Sequence, residues 1–382
     1  MPLPVKRPVP VLIMARELDQ GGVERDVAKI AMHLDRSRFI PHVATYYAKG
    51  LRYEELRAAG IPILHLPLQS LLSMDSLRSA LKLRRYIKEH GIRVVHSYDA
   101  SGVFALPVGR VSGVPVLIGS QLSYRSILDA RTQRLLRLSD HLADVVLVNC
   151  EAIRRYMIED EGMPADRVEL CYNGVVTTEF HPAGDAGRPP AVASASLVIG
   201  TVCVLRPEKA LLLLEEAFAR VRNLKPGMKL LLVGSGPELA KLQDHATRLG
   251  IADATVFIPA TRDVATWLRA MDVFVLPSYS EAFSNSLLEA MACGCSVVGS
   301  RVGGTPELIG ANEERGFLFE SGNAGDLAAK LTRLITEDAL RRDLASRATS
   351  FVCENLTIEI AAQRTAAMYE KLLERKTGSR IE

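Results

Sequence analysis

A chain of 382 residues with 47 Lys or Arg against 44 Asp or Glu carries an excess of only +3. So small an excess does not call for nucleic acid as a partner. The six cysteines, Cys150, Cys171, Cys203, Cys293, Cys295 and Cys353, are scattered in or beside apolar runs. That spacing excludes a secreted disulfide framework and a four-ligand zinc site, and it fits a reducing cytoplasm. Cys293 and Cys295 stand one residue apart with no second pair or histidine nearby, and read as buried small residues at a helix end. No run reaches the roughly 18 to 20 apolar residues that spanning a bilayer requires. The apolar stretch 9–15 follows Lys6 and Arg7, but Pro8 and Pro10 interrupt it and it runs on into Gly21 and Gly22. It reads as a first buried strand and not as a signal peptide. No Asp-x-Asp metal motif occurs.

What is present is ordinary globular material, 48% apolar and 24% charged. Single cores stop growing near roughly 250 to 300 residues, so two domains are expected. Short apolar runs at 9–14, 43–47, 94–96, 116–118 and 145–148 alternate with helical patterns, which implies an α/β fold with a doubly wound parallel sheet. The rhythm breaks from His181 to Ser196, where Pro, Gly, Ala and Ser replace the periodicity. Strand-like runs resume at 197–204, 229–233, 255–258, 273–276 and 296–299. The expected organisation is a first domain over 1–182, a linker over 183–196 and a second domain over 197–357. Ligands of such sheets bind beyond the carboxyl ends of the strands, and two facing sheets would enclose a cleft.

Four segments carry candidate chemistry. Gly21 and Gly22 follow the first strand and open a helix whose free amides favour an anion; a plain tight turn is the alternative, and the full G-x-G-x-x-G spacing is missing. Arg206 and Lys209, in Arg206-Pro207-Glu208-Lys209, stand at a strand's carboxyl end, where two cations suit a diphosphate; a solvated helix start is the bland reading. Glu281 precedes a helix capped by Ser284 or Asn285, and Glu289 lies about 6 to 8 Å inside it. The carboxylates thus flank a helix N-terminus that would seat a diphosphate, and both are acceptors for sugar hydroxyls. Gly303-Gly304, ahead of Pro306, line the same pocket or form a simple turn.

Taken in order, the GGVER loop, VVHSYDASG at 94–102, YNGV at 172–175, LRPEK, LLLVGSGPE at 230–238, DVFVLPSYSEAFSNSLLEAMACG and VGGTPELI resemble the retaining glycosyltransferases of family 4, also called group 1, over nearly the whole chain. The resemblance implies a GT-B fold, two facing Rossmann-like domains with a cleft between them, and a last helix near 358–376 that packs back on the first domain. It implies that Glu281 and the backbone of Ala282, Phe283 and Ser284 hold the donor sugar, that Asn285 and Ser286 also belong to the donor site, and that Glu289 holds the ribose. Arg206 and Lys209 then bind the diphosphate and stabilise the leaving group, Gly21 and Gly22 approach the donor, and Arg262, in the segment 260–263, touches the base. The implied donor is a nucleotide sugar, UDP or GDP form, used as a substrate, with no cofactor and no metal. Retention of configuration without an enzymic nucleophile is implied as well. Ala210 and Ala282 stand where glycine is common in the family, and Gly119-Ser120-Gln121 stands where a histidine is common.

The acceptor side reads less sharply. Gln121 and His96 are its candidates, His96 with a structural role as the alternative, and the acceptor is expected to be a saccharide or lipid-linked. From Arg78 to Arg137 there are eleven Lys or Arg against Glu89, Asp99 and Asp129, a local balance of +8. Arg131, Arg134 and Arg137 accompany Leu135, Leu136 and Leu138, as in a helix resting on anionic lipid. A cytoplasmic enzyme, peripheral on the inner membrane face, is one reading; a surface for an acidic acceptor and an ordinary solvated basic face are the others. A sugar-nucleotide epimerase, a phosphorylase and a non-catalytic sugar-nucleotide binder are the alternatives in function.

Overall fold

The alternating runs build two separate parallel sheets. The computed structural model describes residues 8–19, 21–68, 73–182 and 187–378. Contacts divide the chain into Met1–Gly174 with Ile358–Glu382, here unit 1, and Val175–Thr357, unit 2. Lys6, Arg7 and Gln20 lie outside the described residues.

Unit 1 holds β1 (Val9–Met14), β2 (Phe39–Thr45), β3 (Ile63–His65), β4 (Val94–Tyr98), β5 (Val116–Gln121), β6 (Val145–Val148) and β7 (Val168–Leu170), in the order 3-2-1-4-5-6-7. Its pairings are parallel, with Met14 opposite Ala44 on one side and Ser97 on the other. β4 and β5 are buried at every position, as strands covered by helices on both faces must be. The helix Ile358–Thr377 returns to this unit and lies against the helix Gly22–His33. Its Tyr369 is wholly buried, with its ring edge on Phe39 at 5.6 Å and its hydroxyl 2.7 Å from His96 Nδ1.

Unit 2 holds β8 (Val198–Val202), β9 (Lys229–Val233), β10 (Thr255–Ile258), β11 (Val273–Leu276), β12 (Ser296–Ser300) and β13 (Phe317–Phe319), in the order 10-9-8-11-12-13, again parallel throughout. Leu230, Leu232, Val273 and Val275 meet Phe218, Leu327 and Leu331 in its core. Each such side chain contributes roughly 1.5–3 kcal/mol by leaving water. The three-residue strands β3, β7 and β13 escaped the sequence reading because so short a run shows no period.

The proline-rich stretch expected to link the domains belongs instead to unit 2, and the boundary falls at 174/175. Residues 183–186 lie outside the described residues. Beyond them Val192 is 1% exposed, Arg188 pairs with Asp272, and the Ser196 amide donates to the Gly227 carbonyl at 3.1 Å. Asp272 also accepts from the Val198 amide at 2.7 Å, so one carboxylate ties the strap to the first strand of the sheet. Composition alone does not separate a free linker from a strap held by a distant carboxylate. Among the described residues no helix is long and apolar enough to cross a membrane.

Unit 2 also buries an acid. Glu215, on the helix Leu211–Val221, has no exposure, places Oε2 2.8 Å from His245 Nδ1, and has no hydrogen-bond partner for Oε1 among the described residues. Burial pushes this carboxyl up to about 8 and the His245 imidazole below its usual value. The proton on Glu215 therefore contributes stability that is complete below the ordinary carboxyl value of 4.5 and is lost as the pH rises through about 8. Glu215→Gln should gain on the wild type by roughly 2 kcal/mol between pH 6 and pH 9. Trp267, the sole tryptophan, reports the unfolding of unit 2; a pH-independent difference would show that Glu215 does not titrate there.

Candidate functional site

In each sheet the strand order reverses between the first and the fourth strand, and the loops leaving those two strands part there. In unit 2 these are the loops after β8 and β11. The first carries Arg206 and a single turn, Pro207–Lys209; the second carries Ser278 and Glu281. The Tyr279 amide donates to the Glu208 carbonyl at 2.9 Å, which fastens the loops together. Lys209 Nζ then lies 2.6 Å from Glu281 Oε1, and Ser278 Oγ donates to the same oxygen at 2.7 Å. Both bonds fall on Oε1, so Oε2 is the oxygen left for a ligand's hydroxyl. The Glu281 side chain keeps 11% exposure, and Lys209 is half-buried beside it. Ser278 lies within the sequence motif, but its part in holding Glu281 depends on a loop geometry that residue spacing does not disclose.

The helix Asn285–Ala292 starts directly after this loop, and Ser284 is its cap, accepting from the Leu287 amide at 3.3 Å. The loop between Glu281 and Ser284 is clamped from β12. Ser300 Oγ donates to the Ser278 carbonyl at 2.6 Å and the Gly304 amide to the Ala282 carbonyl at 2.7 Å. Gly303, at φ +49°, passes so close that a Cβ there would stand 1.7 Å from the Glu281 carbonyl oxygen. The glycine pair ahead of Pro306 is thus a close-approach site that sets the Glu281 loop, which explains the residue type. Phe283, Ser284 and Asn285 are buried in the clamp, and Ala282 and Ser286 half-buried.

Glu289 occupies the inner side of the same helix at 1% exposure, sealed where Glu281 is open. Arg206 reaches outward at 59% exposure, its guanidinium 4.0 Å from Glu208 and not beside Lys209. The two cations expected together are therefore set differently: Lys209 is paired with Glu281 and Arg206 is exposed at the rim beside Glu208. Ala210 takes φ +50°, the left-handed region where an L-residue is disfavoured by roughly 1 kcal/mol, which accounts for the preference for glycine there. Arg262 is exposed on the loop after the edge strand β10, whose Ala260 amide donates to Ser235 Oγ at 3.0 Å.

Unit 1 places its candidates otherwise than expected. His96 is buried and hydrogen-bonded through both ring nitrogens, to the Tyr369 hydroxyl and to Ser120 Oγ at 2.7 Å each. Burial pushes its imidazole down to about 3, so it is a neutral bridge between β4, β5 and the last helix and not an acceptor contact. Gln121 is also turned inward. Its Nε2 donates to the Ser123 carbonyl at 2.7 Å, and its Oε1 accepts from Arg125 Nε at 2.9 Å. Arg125, 1% exposed, goes on to Asp140 at 2.6 Å and Glu161 at 3.0 Å. The turn at Gly21 and Gly22 is answered by its own chain, since the Glu24 carboxylate lies where a Gly21 side chain would stand. A phosphate at that helix start would have to displace it.

Asp99, which sequence reasoning passed over, follows β4 at φ +45°. It accepts from the Leu122 amide at 2.9 Å, and burial pushes its carboxyl up to about 6. A strained acid at the reversal point of the first sheet is a candidate in unit 1. The basic balance of +8 also shrinks, because Arg125 and Arg137 are paired with Glu161, and Arg110 stands 3.7 Å from Asp144, acids outside the window counted. On the helix Ala130–Asp140, Leu136 is buried and Arg137 is bound to Glu161, whereas Arg131, Arg134 and Leu138 are exposed.

Comparison with known proteins gives two family matches, to "Glycosyl transferases group 1" over residues 189–351 and to "Glycosyltransferase Family 4" over residues 20–179. Among curated proteins, the N-acetyl-alpha-D-glucosaminyl L-malate synthase of Bacillus anthracis is 36% identical over 43% of this chain and 42% of its own length. A D-inositol 3-phosphate glycosyltransferase of Streptomyces bingchenggensis is 32% identical over 60% and 53%. The chain spans about half the length of these relatives. Among solved structures, Anabaena Alr3699/HepE in complex with UDP and glucose superposes with a TM-score of 0.82 at 21% identity, covering 95% of this chain and 100% of that one. That likeness is one of fold.

Gly303→Ala should lower the stability of unit 2 by roughly 2 kcal/mol, because the neighbour it strikes is backbone and cannot swing away. Unchanged melting of the Trp267 signal would mean the clamp is absent. Asp99→Asn keeps the acceptor and suits the positive φ. The Asp99 proton contributes stability that is complete below the ordinary 3.8 and is lost as the pH rises through about 6. The variant should therefore gain about 1 kcal/mol on the wild type between pH 5 and pH 7, read by hydrogen exchange of unit 1 amides.

Proposed function

The chain belongs to the group 1 glycosyltransferases of family 4, with their GT-B fold, and from that premise we propose that it moves a glycosyl group from a nucleotide sugar to a saccharide or lipid-linked acceptor. The observation that carries the reading is the Lys209–Glu281–Ser278 cluster at the reversal point of the unit 2 sheet. A nucleoside diphosphate leaving the sugar accumulates negative charge on its terminal phosphate. Lys209 stands where it can meet that charge from inside the loop, and Arg206, exposed at the rim, can close over the phosphate from outside. Glu281 Oε2 accepts from a hydroxyl of the sugar, while Lys209 and Ser278 on Oε1 keep the carboxylate from swinging. The amides at the start of the helix Asn285–Ala292 face the same charge.

In this reading Lys209 has two partners in succession. Before the donor arrives it neutralises Glu281; with the donor bound it is shared with the phosphate. Its position is prepared in advance, which avoids reorganisation during the reaction. The leaving phosphate is the group nearest the acceptor hydroxyl on the same face of the sugar, so it can take the hydroxyl's proton, and the new bond forms with retention. The offsetting charges named here are side chains and amides, and the proposal needs neither a metal nor a cofactor.

Thermal shift of the Trp267 signal with UDP- and GDP-sugars tests donor binding. At least one should stabilise the wild type, and Glu281→Gln should bind it more weakly. Lys209→Ala should lower turnover by about 10²-fold or more, the usual loss when a charge-stabilising donor is removed. Proton NMR of the first product should show the donor's anomeric configuration. No stabilisation by any nucleotide sugar, or full turnover in Lys209→Ala, would remove the proposed site.

A further inference from the structure

Six of the ten large apolar side chains exposed among the described residues, Met74, Leu77, Leu81, Val111, Ile127 and Leu138, lie on the elements between β3 and β6. Half of those six share one helix, Met74–Glu89. Its inner side is ordinary: Leu83 and Ile87 are buried, and Ser79 Oγ donates to the Pro67 carbonyl at 3.0 Å. Its outer side is not. Met74, Leu77 and Leu81 recur at i, i+3 and i+7, so they form one stripe, and they are 67%, 55% and 58% exposed. A helix in a soluble domain needs one apolar face, and this one carries two.

Cations surround the stripe. The helix holds Arg78, Lys82, Arg84, Arg85 and Lys88 against Asp75 and Glu89, a balance of +3. Arg78 pairs with Asp75 at 3.3 Å, Arg85 with Glu89 at 2.6 Å, and Lys82 donates to the His65 carbonyl at 2.8 Å. Arg84 and Lys88 have no acidic partner among the described residues. An apolar stripe inside a ring of basic side chains is the pattern that lies in the interface of an anionic bilayer: the apolar groups enter the acyl boundary and the long basic chains reach the headgroups. A second copy of the chain fits poorly, since a two-fold contact sets two copies of the same net-positive face against each other.

We propose that the outer face of the helix Met74–Glu89 docks the protein on an anionic lipid surface. Within the basic stretch Arg78–Arg137 this places the lipid contact on a helix whose apolar outer side is visible only once the sheet fixes which side is inner. It goes beyond the donor chemistry and does not rest on it.

Flotation of the whole chain with phosphatidylcholine vesicles, with and without phosphatidylglycerol, tests the proposal. The wild type should float with the anionic vesicles only, and less as salt is raised. Leu77→Glu with Leu81→Glu should lower the bound fraction about tenfold, and Arg84→Glu with Lys88→Glu should do likewise. Both pairs are on the surface, so melting and the nucleotide-sugar shift at Trp267 should be unchanged; a lost shift with intact flotation would fault the donor site and not this face. Absence of wild-type flotation, or full flotation of Leu77→Glu with Leu81→Glu, would overturn the proposal. So would a dimer in sedimentation that this double variant dissolves.

Discussion

A parallel sheet buried on both faces leaves its chain little freedom. Every strand must point the same way, every crossover must carry a helix, and all the loops that follow the strands gather at one edge. Where the strand order turns back, neighbouring loops separate, because their helices pack on opposite faces. The Lys209–Glu281 contact depends on that constraint: the residues are 72 positions apart, and each is short of the other's loop until β8 and β11 pair. The pair is half-buried, so its Coulomb attraction is set against the loss of water from both charges. Its worth lies in fixing where the carboxylate and the ammonium stand more than in stability.

The second consequence of that edge is a division of labour among polar residues. Those of unit 1 that sit deepest, His96, Gln121 and Arg125, spend their hydrogen bonds on the protein itself. They hold strands to helices, and their burial keeps water away from the charges they join. Those of unit 2 at the same place in the topology keep an open side: Glu281 has Oε2, and Arg206 is exposed with only Glu208 beside it, at 4.0 Å. Similar residue types thus serve as struts in one sheet and as contacts in the other. What separates them is whether a second polar side chain lies within reach on each side.

Much of this could be read from the residues. Apart from β3, β7 and β13, the strands of both sheets followed from short apolar runs, and the return of the last helix from the family pattern. The Glu281 loop, its helix and the Gly303 turn stood together in the sequence as motifs. What could not be read depends on distance along the chain. Nothing near His96 announces Tyr369, which lies 273 positions on, and nothing near Arg188 announces Asp272. Charge counted in a window failed because Glu161 and Asp144 lie outside it. The helix Met74–Glu89 has apolar residues around most of its circumference, and periodicity does not say which of two apolar faces meets the sheet.

The order in which the two units are completed follows from the helix Ile358–Thr377. Unit 2 is one continuous stretch, whereas unit 1 is closed by residues that come after all of unit 2. During synthesis the seven strands of unit 1 emerge before unit 2, yet the groove that Tyr369 fills stays open until the residues that follow unit 2 have left the ribosome. Unit 2, although begun later, has every partner it needs sooner. Nascent unit 1 therefore waits with apolar surface exposed, and a chain released early would carry a finished second unit beside an unfinished first one.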